Sequence, residues 1–165
     1  MEYPAIQSLQ VVFNILRQRP AELLFPRALE RKVGILARLP LSSGMLTGKL
    51  TRATHFEPDD HRSFNREGAA FSKGETFSGF DYEKGLLVVE KLRALLPRDM
   101  PMSELALRFI AAFPAVTCSI PGARRPEQVE QNVRAGERGP LDPKLVQALV
   151  EIYESDVKPL VHQLW

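Results

Sequence analysis

Three short apolar runs set among segments of helical spacing restrict this chain more than any other feature. LQVVF (9–13), VGILARL (33–39) and VTCSI (116–120) are rich in β-branched and aliphatic residues. Near-continuous runs of this length are expected of strands covered on both faces. Between the first two lies RQRPAELLFPRALERK, in which Leu23, Leu24, Ala28 and Leu29 recur at helical spacing. Parallel neighbours need a crossover, and the usual crossover is a helix, so the alternation predicts an α/β fold with three parallel strands and covering helices. A parallel sheet this narrow leaves both edges unpaired and apolar strand surface uncovered. The chain therefore reads as one partial domain, 1–165, of something larger.

Further helices follow from the same periodicity. YEKGLLVVEKLRALL (82–96) places Leu86, Val89, Leu92 and Leu96 on one face, and SELALRFIAAF (103–113) is ended by Pro114. Pro126 opens PEQVEQNVRA, with Glu127 in its first turn. A last helix starts with Asp142 as N-cap and Pro143 behind it, and carries Leu145, Val146, Leu149 and Ile152 as its stripe. The tail VKPLVHQLW is expected to be peripheral. Residues 49–81 have no sustained periodicity but scatter Phe56, Phe64, Phe71, Phe77 and Phe80. Structureless stretches of this length are usually functional or disordered, and the aromatic residues predict that this one packs onto something.

Composition narrows the function classes. The 44% hydrophobic and 25% charged residues are those of a soluble globular chain, and 165 residues suffice for one domain. The 22 basic and 20 acidic residues are dispersed along the sequence, which argues against a nucleic-acid binder. No apolar run reaches the roughly 20 residues of a membrane span, and MEYPAIQSLQ lacks the features of a secretion signal, so a cytoplasmic protein is expected. Cys118, the only cysteine, sits among apolar residues and is expected to face a core; no intramolecular disulfide can form. His55, His61 and His162 have no metal-ligand spacing. Asp59 and Asp60 beside His61 read as a solvated loop, and no G-x-S-x-G turn supports a hydrolase.

Two turns that follow strands carry the chemistry. In IPGARRPEQVEQN (120–132) a strand runs through a glycine loop into a helix N-terminus, where backbone N–H groups and the helix dipole suit a phosphate. Arg124 and Arg125 add planar forks that match phosphate oxygens, while Gln128, Gln131 and Asn132 lie one turn inward. The same spacing also fits a solvated loop whose arginines pair with Glu127 or Glu130. PLSSGMLTGK (40–49) offers Ser42, Ser43, Gly44, Gly48 and Lys49, but no Ser or Thr follows the lysine, so it is no Walker loop.

Taken in order, LQVVFN, VGILARLPLSSGMLTGKL, HRSFNREGAAFSKGETF and LALRFIAAFPAVTCSIPGARRPEQVEQNV resemble the C-terminal half of the aldo-keto reductases, in the branch with bacterial and potassium-channel β-subunit relatives. The resemblance covers about residues 6 to 155. It implies the C-terminal half of a (β/α)8 TIM barrel, with strands six to eight present, and an NADP(H) cofactor lying across the strand ends. Gln10 then corresponds to the glutamine that bonds the nicotinamide carboxamide. Arg38 stands where many relatives stack Tyr or Trp on the nicotinamide ring, so stacking here would use a guanidinium plane. Pro40, Leu41, Ser43, Gly44 and Lys49 match the pyrophosphate turn. Gly122, Arg124, Gln128, Gln131 and Asn132 match the part that holds the adenosine and its 2′-phosphate, and residues 49–81 match the loop that folds over the cofactor. Arg124 is thereby implied to select NADP(H) over NAD(H), with Arg125 facing solvent.

The family's proton-donor tyrosine, with its lysine, aspartate and histidine, belongs to the earlier strands. None of Tyr3, Tyr82 and Tyr153 falls at a strand end in this reading, so no catalytic residue is assigned. The resemblance thus implies a truncated oxidoreductase that carries the NADP(H) half, is inactive alone, and regains activity only with a complementary N-terminal half-barrel chain. Two other readings stand beside it. One is a self-associating, non-catalytic half barrel with vestigial nucleotide binding; the other is an independent phosphate-binding half barrel, against which Gln10 argues.

Overall fold

Strands β1 (Ser8–Val12), β2 (Gly34–Arg38) and β3 (Val116–Ile120) lie side by side in that order, all parallel, in the computed structural model, which describes residues 3–164. Between β1 and β2 runs α1 (Pro20–Arg31), which starts on a proline whose missing N–H costs nothing at a helix start. It ends where Lys32 turns left-handed, at φ 54°, and donates its N–H to the Ala28 and Leu29 carbonyls. The crossover from β2 to β3 is much longer. It comprises a 3-10 stretch (Ser42–Thr47), α2 (His61–Phe64), α3 (Tyr82–Ala94) and α4 (Met102–Ala111). After β3 come α5 (Pro126–Glu137), α6 (Pro143–Ile152), a π turn (Tyr153–Val157) and α7 (Lys158–Val161). As predicted, Asp142 caps α6, its carboxylate accepting the Lys144 N–H at 2.8 Å.

Register places Gln10 beside Leu36 and Leu36 beside Cys118 on one sheet face, and Val12, Arg38 and Ile120 in line at the strand ends. Ile35 faces Val116 while Leu36 faces Cys118, so Thr117 is an extra residue on β3. Its hydroxyl accepts the Ile35 N–H at 3.2 Å, replacing a bond the bulge removes from the ladder.

Helices cover one face of the sheet only. Ile35 and Ala37 are fully buried beneath them, whereas Gln10 and Cys118 are exposed on the other face and Ile120 is 45% exposed. This corrects two expectations: the strands are not covered on both sides, and Cys118 faces away from the core. An apolar run records which residues a strand contains, but only the placement of helices decides which face is filled.

The core joins two aromatic groups. Phe13 lies 4.7 Å from Phe25 and 4.8 Å from Phe113, and Phe113 in turn packs on Phe109 at 5.1 Å. Phe77 packs on Tyr82 at 5.1 Å and on Phe56 at 5.9 Å, so the long loop brings its own aromatic residues into the core as expected. Phe64 and Phe71 remain exposed. On α1, Phe25 and Ala28 form the buried contact, whereas Leu23 is 73% and Leu29 52% exposed, away from the stripe the spacing predicted. The tail is not peripheral. Val157 and Val161 are buried in the core, and His162 Nδ1 lies 2.9 Å from the hydroxyl of buried Tyr153; Trp165 is outside the described residues.

Candidate functional site

Because all strands are parallel, the segments leaving β2 and β3 emerge at the same end of the sheet, and the pairing of β2 with β3 makes them neighbours. Gln10 is exposed on the open face. Arg38 closes β2 at the level of Val12 and Ile120. Of the resemblance-derived residues, Arg38 and the two turns are thus brought to one end of the sheet, with Gln10 at mid-strand on its open face.

The turn after β2 is tightly wound. Leu39, Ser42 and Ser43 have φ of 53°, 47° and 55°, values that cost a non-glycine residue free energy unless the surroundings hold it, and Gly44 follows at 94°. What holds them is the returning end of the long loop. Ser42 Oγ is 2.8 Å from Ser78 Oγ, and Asn14 donates to both the Leu39 carbonyl (2.8 Å) and Ser78 Oγ (3.1 Å). Ser43 Oγ donates to the Glu75 carbonyl at 3.1 Å and accepts the Phe77 N–H at 3.2 Å. Ser42, Ser78 and Asn14 are buried, so each bond satisfies a polar group that water cannot reach. Pro40 is buried and Leu41 half-buried beneath this turn, whereas Lys49 beyond it is exposed.

The Glu75 side chain makes a bidentate ion pair with the Arg38 guanidinium, both groups being about one-third exposed. Nearby, Arg17 donates to the Gly74 carbonyl at 3.2 Å, and burial lowers its pKa to about 10. Farther along the loop, Asp60 caps α2 and grips Arg62, whose guanidinium lies 4.5 Å over the Phe56 ring. That hydrogen-bonded pair holds the Asp60 carboxyl down at about 2, so this stretch is an ordered anchor rather than the solvated loop expected. His61 Nε2 stands 3.4 Å from Ser43 Oγ. Buried Asn65 accepts the Ala70 and Phe71 N–H groups and donates to Thr76, which folds the loop back onto the turn.

The turn after β3 has the opposite character. Gly122, Arg124, Arg125 and Gln131 are exposed, and Asn132 is half-buried. Gln128 Oε1 accepts the Arg124 N–H at 2.8 Å and the Arg125 N–H at 3.2 Å, so the amide at the third helical position caps the loop rather than pointing outward. Glu130 pairs with Arg134, and neither Arg124 nor Arg125 forms an ion pair among the described residues. An open cleft of about 490 Å³ is lined by Ala123, Arg124, Arg125, Pro126, Val129 and Glu130. A Cβ built on Gly122 would meet nothing within 4 Å.

Sequence reasoning missed Glu75 and Asn14, and set His61 aside as part of a solvated loop. Glu75 and His61 sit in the aperiodic loop, and nothing local signals that a carboxylate there reaches a strand end. The tyrosines stand where the sequence put them: Tyr82 donates to the Thr51 carbonyl at the start of α3, Tyr153 bonds His162, and Tyr3 precedes β1. Among the described residues, no three of His, Cys, Asp and Glu gather as a metal site, and no helix is long and apolar enough to cross a membrane.

Comparison with known proteins adds to this geometry. The chain is 27% identical over 152 residues to the uncharacterized oxidoreductase YqkF of Bacillus subtilis, covering 92% of this chain and 44% of that protein. It is 29% identical over 127 residues to the aldo-keto reductase YhdN of the same organism, covering 76% and 36%. Among solved structures it is similar to the glycerol dehydrogenase AKR11B4 from Gluconobacter oxydans, with a TM-score of 0.72 and 25% identity over 91% of this chain and 43% of that one. The holo form of the aldo-keto reductase AKR11C1 from Bacillus halodurans superposes with a TM-score of 0.64 at 26% identity, covering 90% and 43%. The chain thus spans less than half the length of these relatives, and its three-stranded sheet is a part of their barrel. The model of the aldo/keto reductase family matches residues 1–154, and the chain belongs to that family.

Proposed function

We propose that this chain is the NADP(H)-holding half of a carbonyl-reducing oxidoreductase. The observation that carries the reading is the placing of Arg38, the Pro40–Lys49 turn and the Gly122–Asn132 segment at the C-terminal end of one parallel sheet, with Gln10 exposed on its open face. The residues fit such a cofactor: Arg124 faces an open cleft with no ion-pair partner among the described residues, and open space lies beside the Gly122 backbone. In this reading Arg124 holds the 2′-phosphate, Gln131 and Asn132 flank the adenosine, and Gln128 keeps the loop in shape. Ser43, Gly44 and Lys49 follow the pyrophosphate, with Pro40 and Leu41 as their floor, while Gln10 bonds the carboxamide and Arg38 lies against the nicotinamide.

The bound cofactor would supply a hydride; the carbonyl oxygen also needs a proton. Tyr82 and Tyr153 are engaged away from the strand ends, which supports the reading that the proton donor lies outside this half of the fold and that the half by itself is inactive. A self-associating half barrel is the second reading, favoured by the open sheet edges and by Leu23, Val129 and Val133, all more than half exposed. Calorimetric titration with NADPH and NADH tests the first. Arg124→Ala is expected to weaken NADPH by about 1–3 kcal/mol with little effect on NADH. Equal losses would remove Arg124 from the 2′-phosphate, and a folded chain that binds neither nucleotide would overturn the reading.

A further inference from the structure

Glu75 touches two parts of the candidate site at once. Its carboxylate pairs with the two terminal guanidinium nitrogens of Arg38, and its carbonyl accepts the Ser43 hydroxyl, so one residue of the long loop joins the strand-end cation to the turn beside it. Arg17 lies within electrostatic reach of both Glu75 and Arg38, and the three residues line a cleft of about 440 Å³ that also holds Glu22. Glu22, however, is engaged by Lys158 and His162. Among the described residues, Glu75 is therefore the carboxylate that offsets the Arg38 charge at the end of β2.

That charge matters for a nicotinamide. The oxidised ring is formally cationic and the reduced ring is neutral, so a guanidinium lying against it discriminates between the two states unless its charge is offset. On the cofactor reading above, we infer that Glu75 sets the relative affinity of this site for oxidised and reduced cofactor by neutralising Arg38. With the ion pair intact, the Arg38 charge that faces the ring is offset and both forms bind. With the carboxylate removed, the bare guanidinium repels the oxidised ring in a partly water-excluded place, where charges a few ångströms apart still interact strongly.

The test is the ratio of dissociation constants for NADP⁺ and NADPH on the full chain, measured by calorimetry at one ionic strength. Glu75→Gln is expected to raise this ratio at least about tenfold, which raises the potential of the bound two-electron couple by about 30 mV. Glu75→Asp, which keeps the charge, should leave the ratio within about threefold of the parent. Arg38→Gln, which keeps the carboxylate and removes the cation, should move the ratio in the opposite direction. A merely structural Glu75 would weaken both forms together, so equal losses in Glu75→Gln overturn the inference while leaving the cofactor reading intact. Should Glu75→Gln not fold, an unchanged ratio in Arg38→Gln overturns it independently. A parent chain that binds neither form overturns the cofactor reading and this inference with it.

Discussion

The two turns at the C-terminal end of the sheet are built on opposite principles. After β2, Leu39, Ser42, Ser43 and Gly44 are held at positive φ by hydroxyl and amide bonds from Asn14, Ser78 and the Glu75–Phe77 strap. After β3, the Gly122–Arg125 loop is exposed and tied mainly by a single amide, that of Gln128. One turn is shaped by the chain before anything binds, and the other leaves its guanidinium groups to solvent. Preorganisation removes an ordering cost at the first turn, whereas the second can exchange contacts with solvent for contacts with a ligand.

Breaking the first turn should cost most. Phe77 is 1% exposed and packs between Phe56 and Tyr82. Phe77→Ala is expected to lower stability by about 3–5 kcal/mol, visible as a shift in denaturant midpoint. If the loss is below about 1 kcal/mol, the strap does not hold the fold together.

Acid sharpens the same contrast. The Asp60 carboxyl is held at about 2 by Arg62, well below its ordinary value, so the deprotonated form is the one the fold favours. Its contribution, about 2 kcal/mol, is present above pH 4 and disappears as pH falls from about 4 towards 2. Asp60→Asn should lose this amount at neutral pH and flatten that part of the stability profile. A profile identical to that of the parent would remove the Asp60–Arg62 anchor from the account.

The smallest effect is expected at the second turn. Gln128→Ala frees two exposed N–H groups that water can then satisfy, so stability should fall by no more than about 1 kcal/mol. A larger loss, measured in the same denaturant series, would mean that the β3 turn is as rigidly built as the first and would erase the comparison.

Much of the fold is legible in local sequence. VTCSI gave β3 to the residue, Asp142-Pro143 gave the start of α6, and Pro126 gave that of α5, because strand composition, N-caps and N1 prolines act through bonds within a few residues. The candidate site was legible only through the resemblance. Spacing alone left Arg124 equally suited to pairing with Glu127 or Glu130, and the structure instead has Glu130 bound to Arg134.

What the sequence determined by itself is the order of strands and helices, the parallel pairing, the aromatic content of the long loop and the family, all of which depend on residues close together in the chain or on their succession. Tertiary structure alone decided that Cys118 and Gln10 stand on an open sheet face, that the tail completes the core through Val157 and Val161, and that Glu75 reaches back to Arg38. The physical reason is the same in each case. Burial and ion pairing depend on which surface arrives opposite a residue, and in a parallel sheet that surface comes from segments tens of residues away, beyond the reach of any local pattern.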